Sequence, residues 1–481
     1  MDDIGDLLQA RQHWIGGEWR PSRGSGLFEV VDPSTEQVLG VISSATGPDV
    51  DDAVRAASRA LPAWSQTPLE ERLLLLERLC DVIDDSTGDF ASLITQEVGA
   101  PVAISAPMHV GLALQIFRSF IALGRQLPLE ERVGESLLLR EPVGVVACIT
   151  PWNLPLILIA QKLAPALVAG CTVVLKPSEL TPFNALWLAR AAHKAGYPPG
   201  TFNVVTGDGP TAGEALVQHP DVSKISFTGS TRAGRRIAAL AAGTVKRVGL
   251  ELGGKSANVI LEDGELERAI TTGVHQACFN SGQSCIAWSR ILVPRSRLAD
   301  AVDLAAGVAS GLKVGDPHAP DTELGPLVSQ AAMSRVHNYI RNGLDEGASI
   351  ATGGTERPAH LPCGYYVSPT VFSGVTPEMT IAREEIFGPV VCILTYDSEE
   401  EAVAIANSTE YGLHGSVWSE DEGRALSVAR RIRTGMLNIN GYGFDAMAPF
   451  GGCKQSGLGR ELGTAGLEEF FEIKVVQTLR A

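Results

Sequence analysis

The sequence predicts an α/β protein whose first large unit is a doubly wound, mostly parallel sheet. Between residues 143 and 250, short apolar segments alternate with longer segments of helical character. A second α/β series begins after about residue 255. Apolar strands separated by helices are typical of parallel sheets that helices cover on both faces. In such nucleotide-binding sheets, ligands bind at the carboxyl ends of the strands.

Short surface strands and two helices are predicted before this series. The first 50 residues alternate apolar and turn residues, a pattern that favours a hairpin. Apolar residues then recur at spacings of three and four in residues 50–61 and 69–83, which predicts two packing helices.

The first α/β series places polar residues where its predicted strands end. Its predicted elements are strand 143–149, helix 155–169, strand 172–175, helix 183–194, strand 202–205, a short helix 212–217, strand 224–227, helix 231–241 and strand 247–250. The uncharged stretch 143–161 also has the length of a membrane span. Pro151 and Pro155 interrupt it, so we interpret it as a strand, a turn and the start of a helix.

The second series contains the most unusual loop of the chain. Its predicted elements are helices 265–276 and 298–311 and strands 290–293, 390–396 and 435–440. The glycine-rich segment 441–459 is too long to be a simple connection, so we expect it to cover a site. The alternating tail 471–478 predicts a strand, which needs an edge to pair with; another subunit is one candidate.

Composition indicates a protein of two or three domains that binds a small molecule. The chain has 481 residues, more than one hydrophobic core usually holds. Its net charge of −16 disfavours nucleic acid and anionic membranes as partners. The acidic start lacks a targeting pattern, and the eight scattered cysteines suit reduced thiols, so we expect a cytoplasmic protein. The nine histidines show no metal-binding spacing, so no metal is expected.

Cys285 is the candidate nucleophile. It follows a Gly-Gln turn and has no second cysteine at dithiol or zinc-ribbon spacing. A lone cysteine is commonly a small buried apolar residue, and this interpretation stays open from the stretch alone.

The segment after the strand 224–227 suits a pyrophosphate. Gly229 makes a turn, and Ser230 opens a helix whose free N–H groups and dipole favour an anion. Neither standard phosphate-binding fingerprint is present, so an ordinary capped helix is the alternative.

Three other strand ends carry residues suited to further chemistry. Lys176 and Glu179 are placed to hold ribose hydroxyls, and a carboxylate there favours NAD over NADP, although a solvated turn is the alternative. Glu251 stands in an apolar setting that favours a general base, with a structural salt bridge as the alternative. The Asn153 amide suits an oxyanion, although asparagine is also a common turn residue.

Taken together, these segments resemble the aldehyde dehydrogenase superfamily along nearly the whole chain. The matching motifs are 151–153 (PWN), 176–179 (KPSE), 227–231 (FTGST), 250–255 (LELGGK), 282–285 (GQSC), 384–389 (EEIFGP) and 449–452 (PFGG). The resemblance implies an oxidoreductase that converts an aldehyde to a carboxylic acid through a thiohemiacetal and a thioester on Cys285.

The resemblance also implies roles for individual residues. The implied catalytic residues are Cys285, Glu251, Asn153, Lys162 and Glu461, the last two as a proton relay. The implied cofactor-binding residues are Thr150, Pro151, Trp152, Lys176, Ser178, Glu179, Phe227, Gly229, Ser230, Leu252, Glu385 and Phe387. The cofactor is NAD, with NADP as the alternative.

The motifs give the least information about which residues line the substrate pocket. Residues expected to line it are Leu154, Leu158, Gln161, Ser284, Ile286, Tyr442, Phe444 and Phe450. This set is largely apolar and lacks arginine and lysine, which favours a medium aliphatic, terpenoid or aromatic aldehyde over a semialdehyde acid.

By similarity, the fold has a Rossmann-like cofactor domain, an α/β catalytic domain and a small oligomerisation β-sheet. The expected boundaries are 1–122 and 142–253 for the cofactor domain, 254–455 for the catalytic domain, and 123–141 and 456–481 for the oligomerisation segments. A homodimer or a homotetramer is expected. A CoA-acylating aldehyde dehydrogenase and a catalytically silent structural relative are the alternatives. The first is disfavoured because relatives of that type typically lack the glutamate at position 251.

Overall fold

The computed structural model describes residues 4–9, 11–441 and 443–477. Its strands are β1 Gln12–Ile15, β2 Glu18–Pro21, β3 Leu27–Asp32, β4 Gln37–Ser43, β5 Glu130–Val133, β6 Ser136–Pro142, β7 Val145–Ile149, β8 Thr172–Lys176, β9 Phe202–Val204, β10 Lys224–Thr228, β11 Arg247–Glu251, β12 Ala257–Ile260, β13 Arg290–Pro294, β14 Ser349–Thr352, β15 Thr370–Ser373, β16 Val390–Tyr396, β17 Gly415–Trp418, β18 Asn438–Ile439, β19 Gly457–Leu458 and β20 Phe471–Gln477.

Helices connect most of these strands. They are α1 Ile4–Leu8, α2 Gly47–Ser65, α3 Leu69–Asp85, α4 Thr87–Val98, α5 Val102–Ile104, α6 Gly111–Gln126, α7 Pro155–Ala169, α8 Phe183–Ala195, α9 Glu214–Gln218, α10 Thr231–Ala241, α11 Leu266–Cys278, α12 Leu298–Gly311, α13 Gln330–Asp345, α14 Thr380–Arg383, α15 Glu399–Asn407, α16 Glu422–Ala429 and α17 Gly463–Glu468. Shorter π and 3₁₀ turns are Ser105–Val110, Gly209–Gly213, Ala242–Thr244, Phe279–Gly282, Arg295–Arg297 and Lys454–Ser456.

The first sheet confirms the predicted doubly wound unit. Its strand order is β19-β11-β10-β7-β8-β9-β1-β2, and the run from β11 to β9 is parallel. Strands β7, β8 and β10 are buried along their whole length, as expected for the middle of a covered sheet. Ile149 pairs with both Lys176 and Phe227, and Thr228 pairs with Glu251. The carboxyl ends of these strands therefore meet at one edge.

The second sheet confirms the second α/β series and adds strands that the pattern did not predict. Its order is β14-β15-β16-β13-β12-β17-β18. The unpredicted strands β12, β15 and β17 are four residues long, too short to show a distinctive period. The strand predicted over 435–440 is wrong in extent, because only Asn438–Ile439 pair with β17.

A third, antiparallel sheet has the order β20-β6-β5. The chain's last described strand pairs with β6 of the same chain, from Phe471 opposite Pro142 to Gln477 opposite Ser136. The predicted tail strand is therefore confirmed up to Gln477, and Thr478 lies outside the described residues. The strand β20 therefore has a pairing partner within its own chain and does not require one from another subunit. Val133, Ile473 and Val475 leave about half of their surface exposed on this sheet.

The helices that pack on the first sheet contribute buried apolar residues to its hydrophobic core. The described residues contain one helical stretch, Val102–Gln126, with the length and composition of a membrane span, and 56 % of its most apolar window is buried. Its second part, α6, packs on α3 and α7. The uncharged stretch 143–161 forms β7 and the start of α7, so the predicted strand, turn and helix start is confirmed.

Candidate active site

A strained turn between α11 and β13 presents Cys285. Asn280, Ser281 and Gly282 all adopt left-handed backbone conformations, with φ of 53°, 58° and 73°. Such a run is costly for residues with side chains and is typical of functional sites. Gly282 is required by space as well, because a Cβ there would lie 2.1 Å from the Gly388 carbonyl carbon. The turn leaves Cys285 partly exposed directly after the buried residues 280–284.

A hydrogen-bond network fixes Asn153 beside this turn. The Asn153 Nδ2 donates to the Gln283 carbonyl oxygen at 2.9 Å, and the Asn280 Nδ2 donates to the Asn153 carbonyl oxygen at 2.9 Å. The Gln283 side-chain oxygen accepts from the Val328 N–H at 2.9 Å. An asparagine amide has two N–H donors, so one donor of Asn153 remains after the Gln283 contact.

Glu251 is a buried carboxyl group at the end of β11. It is 4 % exposed, and its Oε2 has no hydrogen-bond partner among the described residues. Burial and the negative charge of Glu461 raise its pKa well above the ordinary value, while Lys162 and Arg460 oppose that rise. Gly451, in the glycine-rich segment 441–459, lies against the Glu251 carboxyl. A Cβ on residue 451 would be only 2.5 Å from the Glu251 Oε1.

Lys162 and Glu461 form a buried ion pair beneath Glu251. Lys162, on α7, is fully buried and also donates to the Thr228 Oγ1 at 2.6 Å. Glu461 lies 299 residues away in the chain, after the glycine-rich loop. A buried charge is tolerated when it is paired and hydrogen-bonded, and both conditions are met for Lys162.

A cavity of about 430 Å³ opens next to Cys285. Site residues predicted for the cofactor that line it are Pro151, Trp152, Gly229, Ser230, Leu252, Glu385 and Phe387. Asn153 and Leu158 line it as well. The Trp152 and Phe387 rings meet edge to face with centroids 5.3 Å apart, which closes one side of the cavity.

The walls of this cavity fit a dinucleotide. Ser230 caps α10, and its Oγ accepts from the Ala233 N–H at 3.3 Å, so the remaining N–H groups of the first turn face an anion site. Gly229 permits a close approach of the Phe227 ring, since a Cβ on residue 229 would lie 2.5 Å from that ring. Phe227 and Thr150 are buried behind this wall.

Lys176, Ser178 and Glu179 follow β8 at the same edge of the sheet. The Lys176 Nζ donates to the carbonyl oxygens of Pro177 at 2.8 Å and Gly207 at 2.7 Å, and lies 3.8 Å from the Glu179 carboxylate. Glu179 keeps about a third of its side chain exposed, so its carboxylate is available to a ligand. Ser178 is buried, and its Oγ accepts from the Leu180 N–H at 3.2 Å.

Glu385 is held against the backbone after β11. Its Oε1 accepts from the Gly254 N–H at 3.0 Å, and burial raises its pKa to about 7. A Cβ on Gly253 would lie 2.4 Å from its Oε2, so only glycine permits this approach. Burial and the charges of Glu385 and Glu251 raise the pKa of the Cys285 thiol.

A second cavity of about 280 Å³ lies on the other side of the cysteine turn. Of the predicted substrate residues, Ile286, Phe444 and Phe450 line it. Leu154 packs against the same apolar cluster as Cys285, while Ser284 and Gln161 are buried and line neither cavity. Tyr442 lies outside the described residues.

The structure adds residues that the motifs did not indicate. In the first cavity these are Leu180, Val328, Ser329, Ala331, Ala332 and Arg335; in the second, they include His414, Met436, Asn438 and Asp445. They lie near β8, around the start of α13, beside β17 and β18 and in the glycine-rich segment 441–459, and as single residues they carry no sequence signal. Across the described ranges, no group of three or more metal-ligating side chains is placed to hold an ion.

Comparisons with known proteins converge on one family. The profile of the Aldehyde dehydrogenase family matches residues 19–476. A 3-succinoylsemialdehyde-pyridine dehydrogenase from a Pseudomonas species is 50 % identical over 467 residues, which cover 97 % of this chain and 98 % of that protein.

Solved structures give the same result. A cysteine-to-alanine mutant of aldehyde dehydrogenase C from Pseudomonas syringae, complexed with NAD+ and octanal, has a TM-score of 0.97 and 46 % identity, and the match covers 98 % of this chain and 97 % of that one. An aldehyde dehydrogenase from Mycobacterium tuberculosis, complexed with NAD+, has a TM-score of 0.96 and 41 % identity, covering 98 % of each chain.

Proposed function

Because this chain belongs to the aldehyde dehydrogenase family and is an NAD-dependent aldehyde dehydrogenase, we propose that Cys285, Asn153 and Glu251 carry its chemistry. The observation that supports these roles most directly is the buried Glu251 carboxyl, whose Oε2 has no hydrogen-bond partner among the described residues. A carboxyl group with a raised pKa close to a thiol is suited to take its proton near neutral pH.

In the first half-reaction, Glu251 takes the thiol proton and the Cys285 Sγ forms a bond to the aldehyde carbon. The carbonyl oxygen becomes an oxyanion, which the remaining Asn153 N–H and the Cys285 backbone N–H stabilise. Loss of hydride from that carbon reforms the carbonyl as a thioester. NAD, when bound in the first cavity, supplies the hydride acceptor.

Before the second half-reaction, Glu251 releases the thiol proton to solvent. It then takes a proton from water, and the hydroxide oxygen adds to the thioester carbon. The carbon–sulfur bond breaks, the carboxylic acid forms, and the leaving Cys285 thiolate takes the proton from Glu251, which restores the thiol. The Lys162–Glu461 pair is the proposed relay beneath Glu251, since its two charges act on the Glu251 pKa in opposite directions.

Asn153→Ala is expected to lower kcat by about 10²-fold, the cost of removing one oxyanion donor. Stopped-flow measurement of NADH formation with octanal checks the acylation step. The affinity for NAD, measured by fluorescence titration, is expected to stay close to that of the wild type. If NAD affinity falls as much as kcat, the substitution has instead disrupted the hydrogen bonds around Gln283.

We further propose that NAD binds in the first cavity and extends along the adjoining strand ends of the first sheet, which include the end of β8. The α10 N-terminus with Gly229 and Ser230 takes the pyrophosphate, and Lys176 and Glu179 take the adenosine ribose. Glu385 takes the nicotinamide ribose, with Phe387 and Trp152 beside the nicotinamide. Thr150, Pro151, Ser178, Phe227 and Leu252 shape this binding surface.

Glu179→Gln is expected to raise the ratio of kcat/KM with NADP to that with NAD by about tenfold, because a carboxylate repels a 2′-phosphate. Glu356→Gln is the matched control: it removes the same charge from an exposed glutamate outside the cavity and should leave the ratio unchanged. Measuring NADH and NADPH formation over a panel of aldehydes tests both the cofactor preference and the overall function.

We propose a medium-sized, largely apolar aldehyde as the substrate. The second cavity is lined mainly by apolar residues, and none of its described lining residues is a lysine or an arginine. By its name, the Pseudomonas relative acts on a pyridine-bearing semialdehyde, and the Pseudomonas syringae relative was solved with octanal. Both agree with the preference for aromatic or aliphatic aldehydes over acids.

The domain boundaries and the assembly are also proposals. The proposed boundaries are those given by the resemblance; β19 lies in the 456–481 segment but pairs in the first sheet, and β6 ends at Pro142, one residue beyond the 123–141 segment. The exposed Val133, Ile473 and Val475 support a homodimer or homotetramer through the third sheet. A cytoplasmic location is proposed as well.

A further inference from the structure

The second cavity contains a polar group that the proposed reaction does not use. Among the residues that line it, the polar side chains are His414, Asn438 and Asp445. His414 immediately precedes β17, and Asn438 opens the neighbouring strand β18. Two adjacent strands of the second sheet therefore place these side chains together on a wall that is otherwise apolar.

A buried tryptophan determines where the protons of this group lie. The Trp288 Nε1–H donates to the His414 Nδ1 at 2.8 Å, and the two ring planes differ by only 14°, as an in-plane hydrogen bond requires. An indole nitrogen is only a donor, so the His414 Nδ1 must be the acceptor and its proton must be on Nε2. Trp288 is fully buried and lies three residues after Cys285.

The proton on the His414 Nε2 in turn orients Asn438. The Nε2 lies 3.1 Å from the Asn438 Oδ1, which must accept that proton. The Asn438 Nδ2, with its two N–H donors, then points away from His414 and has no hydrogen-bond partner in the described part of the chain. The chain Trp288, His414, Asn438 thus fixes an amide donor at the cavity wall.

This donor pattern does not change over the working pH range. Burial lowers the pKa of His414 to about 4, so the imidazole stays neutral at neutral pH. The single tautomer set by Trp288 is therefore maintained. Asp445 adds a carboxylate on the same cavity, which disfavours an anionic ligand group.

We propose that Asn438 is a specificity-determining residue, whose amide donates a hydrogen bond to a neutral acceptor on the part of the aldehyde remote from Cys285. Acceptors of this class are a ketone oxygen and an aromatic ring nitrogen. His414 and Trp288 are positioning residues that hold the amide in this orientation. The inference rests on the proposed function, in which the substrate occupies the second cavity.

The test compares aldehydes that differ only in the acceptor. Octanal is paired with oxo-octanals that carry a ketone at successive carbons, and a phenyl-tailed aldehyde is paired with its pyridine-tailed analogue. We expect the wild type to prefer the acceptor-bearing member of at least one pair by about tenfold in kcat/KM. The gain should lie mainly in KM, because the acceptor is remote from the reacting carbon.

Asn438→Leu keeps the side-chain size and removes the donor, so it is expected to reduce that ratio about tenfold. Met436→Leu, on the same wall, is the matched control and should leave the ratio unchanged. Trp288→Phe removes the indole N–H and should reduce the ratio, as should His414→Leu, whereas His414→Gln can serve both neighbours and should retain part of it. Because each ratio is measured within one enzyme, a general loss of stability does not change it.

The outcomes separate the inference from the proposed function. Oxidation of octanal with equal kcat/KM values inside every pair would overturn the inference and leave the proposed function standing. A ratio that Asn438→Leu does not change would also overturn it. Absence of NADH formation with every aldehyde would overturn both.

Discussion

Cys285→Ala is expected to lower NADH formation by at least about 10⁴-fold, because no other group replaces the nucleophile. The variant should still bind NAD and aldehyde, since Cys285 is only one of the residues that line the first cavity and the second cavity is lined by others. Steady-state assays with octanal measure the loss. Mass spectrometry after mixing enzyme, NAD and aldehyde should show an acyl adduct on the wild type and none on the variant.

Cys453→Ala is the matched control for this experiment. Cys453 is, like Cys285, a partly exposed free cysteine, so the same truncation is made at similar exposure. Its activity should remain near that of the wild type. Full turnover by Cys285→Ala would exclude the thiohemiacetal route through this residue.

Glu251→Gln is expected to slow thioester hydrolysis by about 10³-fold, the contribution of a positioned general base. Acylation also uses Glu251 but should slow less than hydrolysis, so NADH should appear in a burst close to one equivalent per site, followed by a very slow phase. Rapid mixing with absorbance detection resolves the two phases, and the accumulated acyl-enzyme is identified by mass spectrometry.

The pH dependence of hydrolysis follows from the same carboxyl. Glu251 acts as a base only when ionised, and its pKa is raised, so hydrolysis should fall as pH decreases through that raised pKa. Glu461→Gln removes a negative charge that raises the Glu251 pKa, so this acidic limb should move to lower pH. In Glu251→Gln the limb should disappear. If the decrease of the hydrolysis rate at acidic pH is the same in both variants as in the wild type, a group other than Glu251 causes it.

Much of the first sheet was predictable because its strands are buried on both faces. Strands β7, β8 and β10 appear as apolar segments at nearly the predicted positions. Since their register is parallel, polar residues that follow each strand were expected at one edge, where the structure places Asn153, Lys176 and Glu251. The choice of reaction depended on the family resemblance, which the comparisons confirm.

The contacts within the site that local sequence patterns do not show join distant segments of the chain. Lys162 and Glu461 are separated by 299 residues, and Asn153 and Gln283 by 130, and neither pair has a local periodicity. Trp288, His414 and Asn438 are single residues in short buried segments, so nothing in their neighbourhoods indicates that they share a hydrogen-bonded chain.

The sequence by itself determined the α/β class, the order of the main strands, and the strand-end residues with the Cys285 turn. Local patterns predict these features, because a strand buried on both faces and a turn each depend on residues that are close together in the sequence. Only the tertiary structure decided the ion pair beneath Glu251, the pairing of β20 with β6, and the polar wall at Asn438. Each requires segments far apart in the chain to meet, and their stability comes from desolvation and hydrogen bonding that exist only after folding.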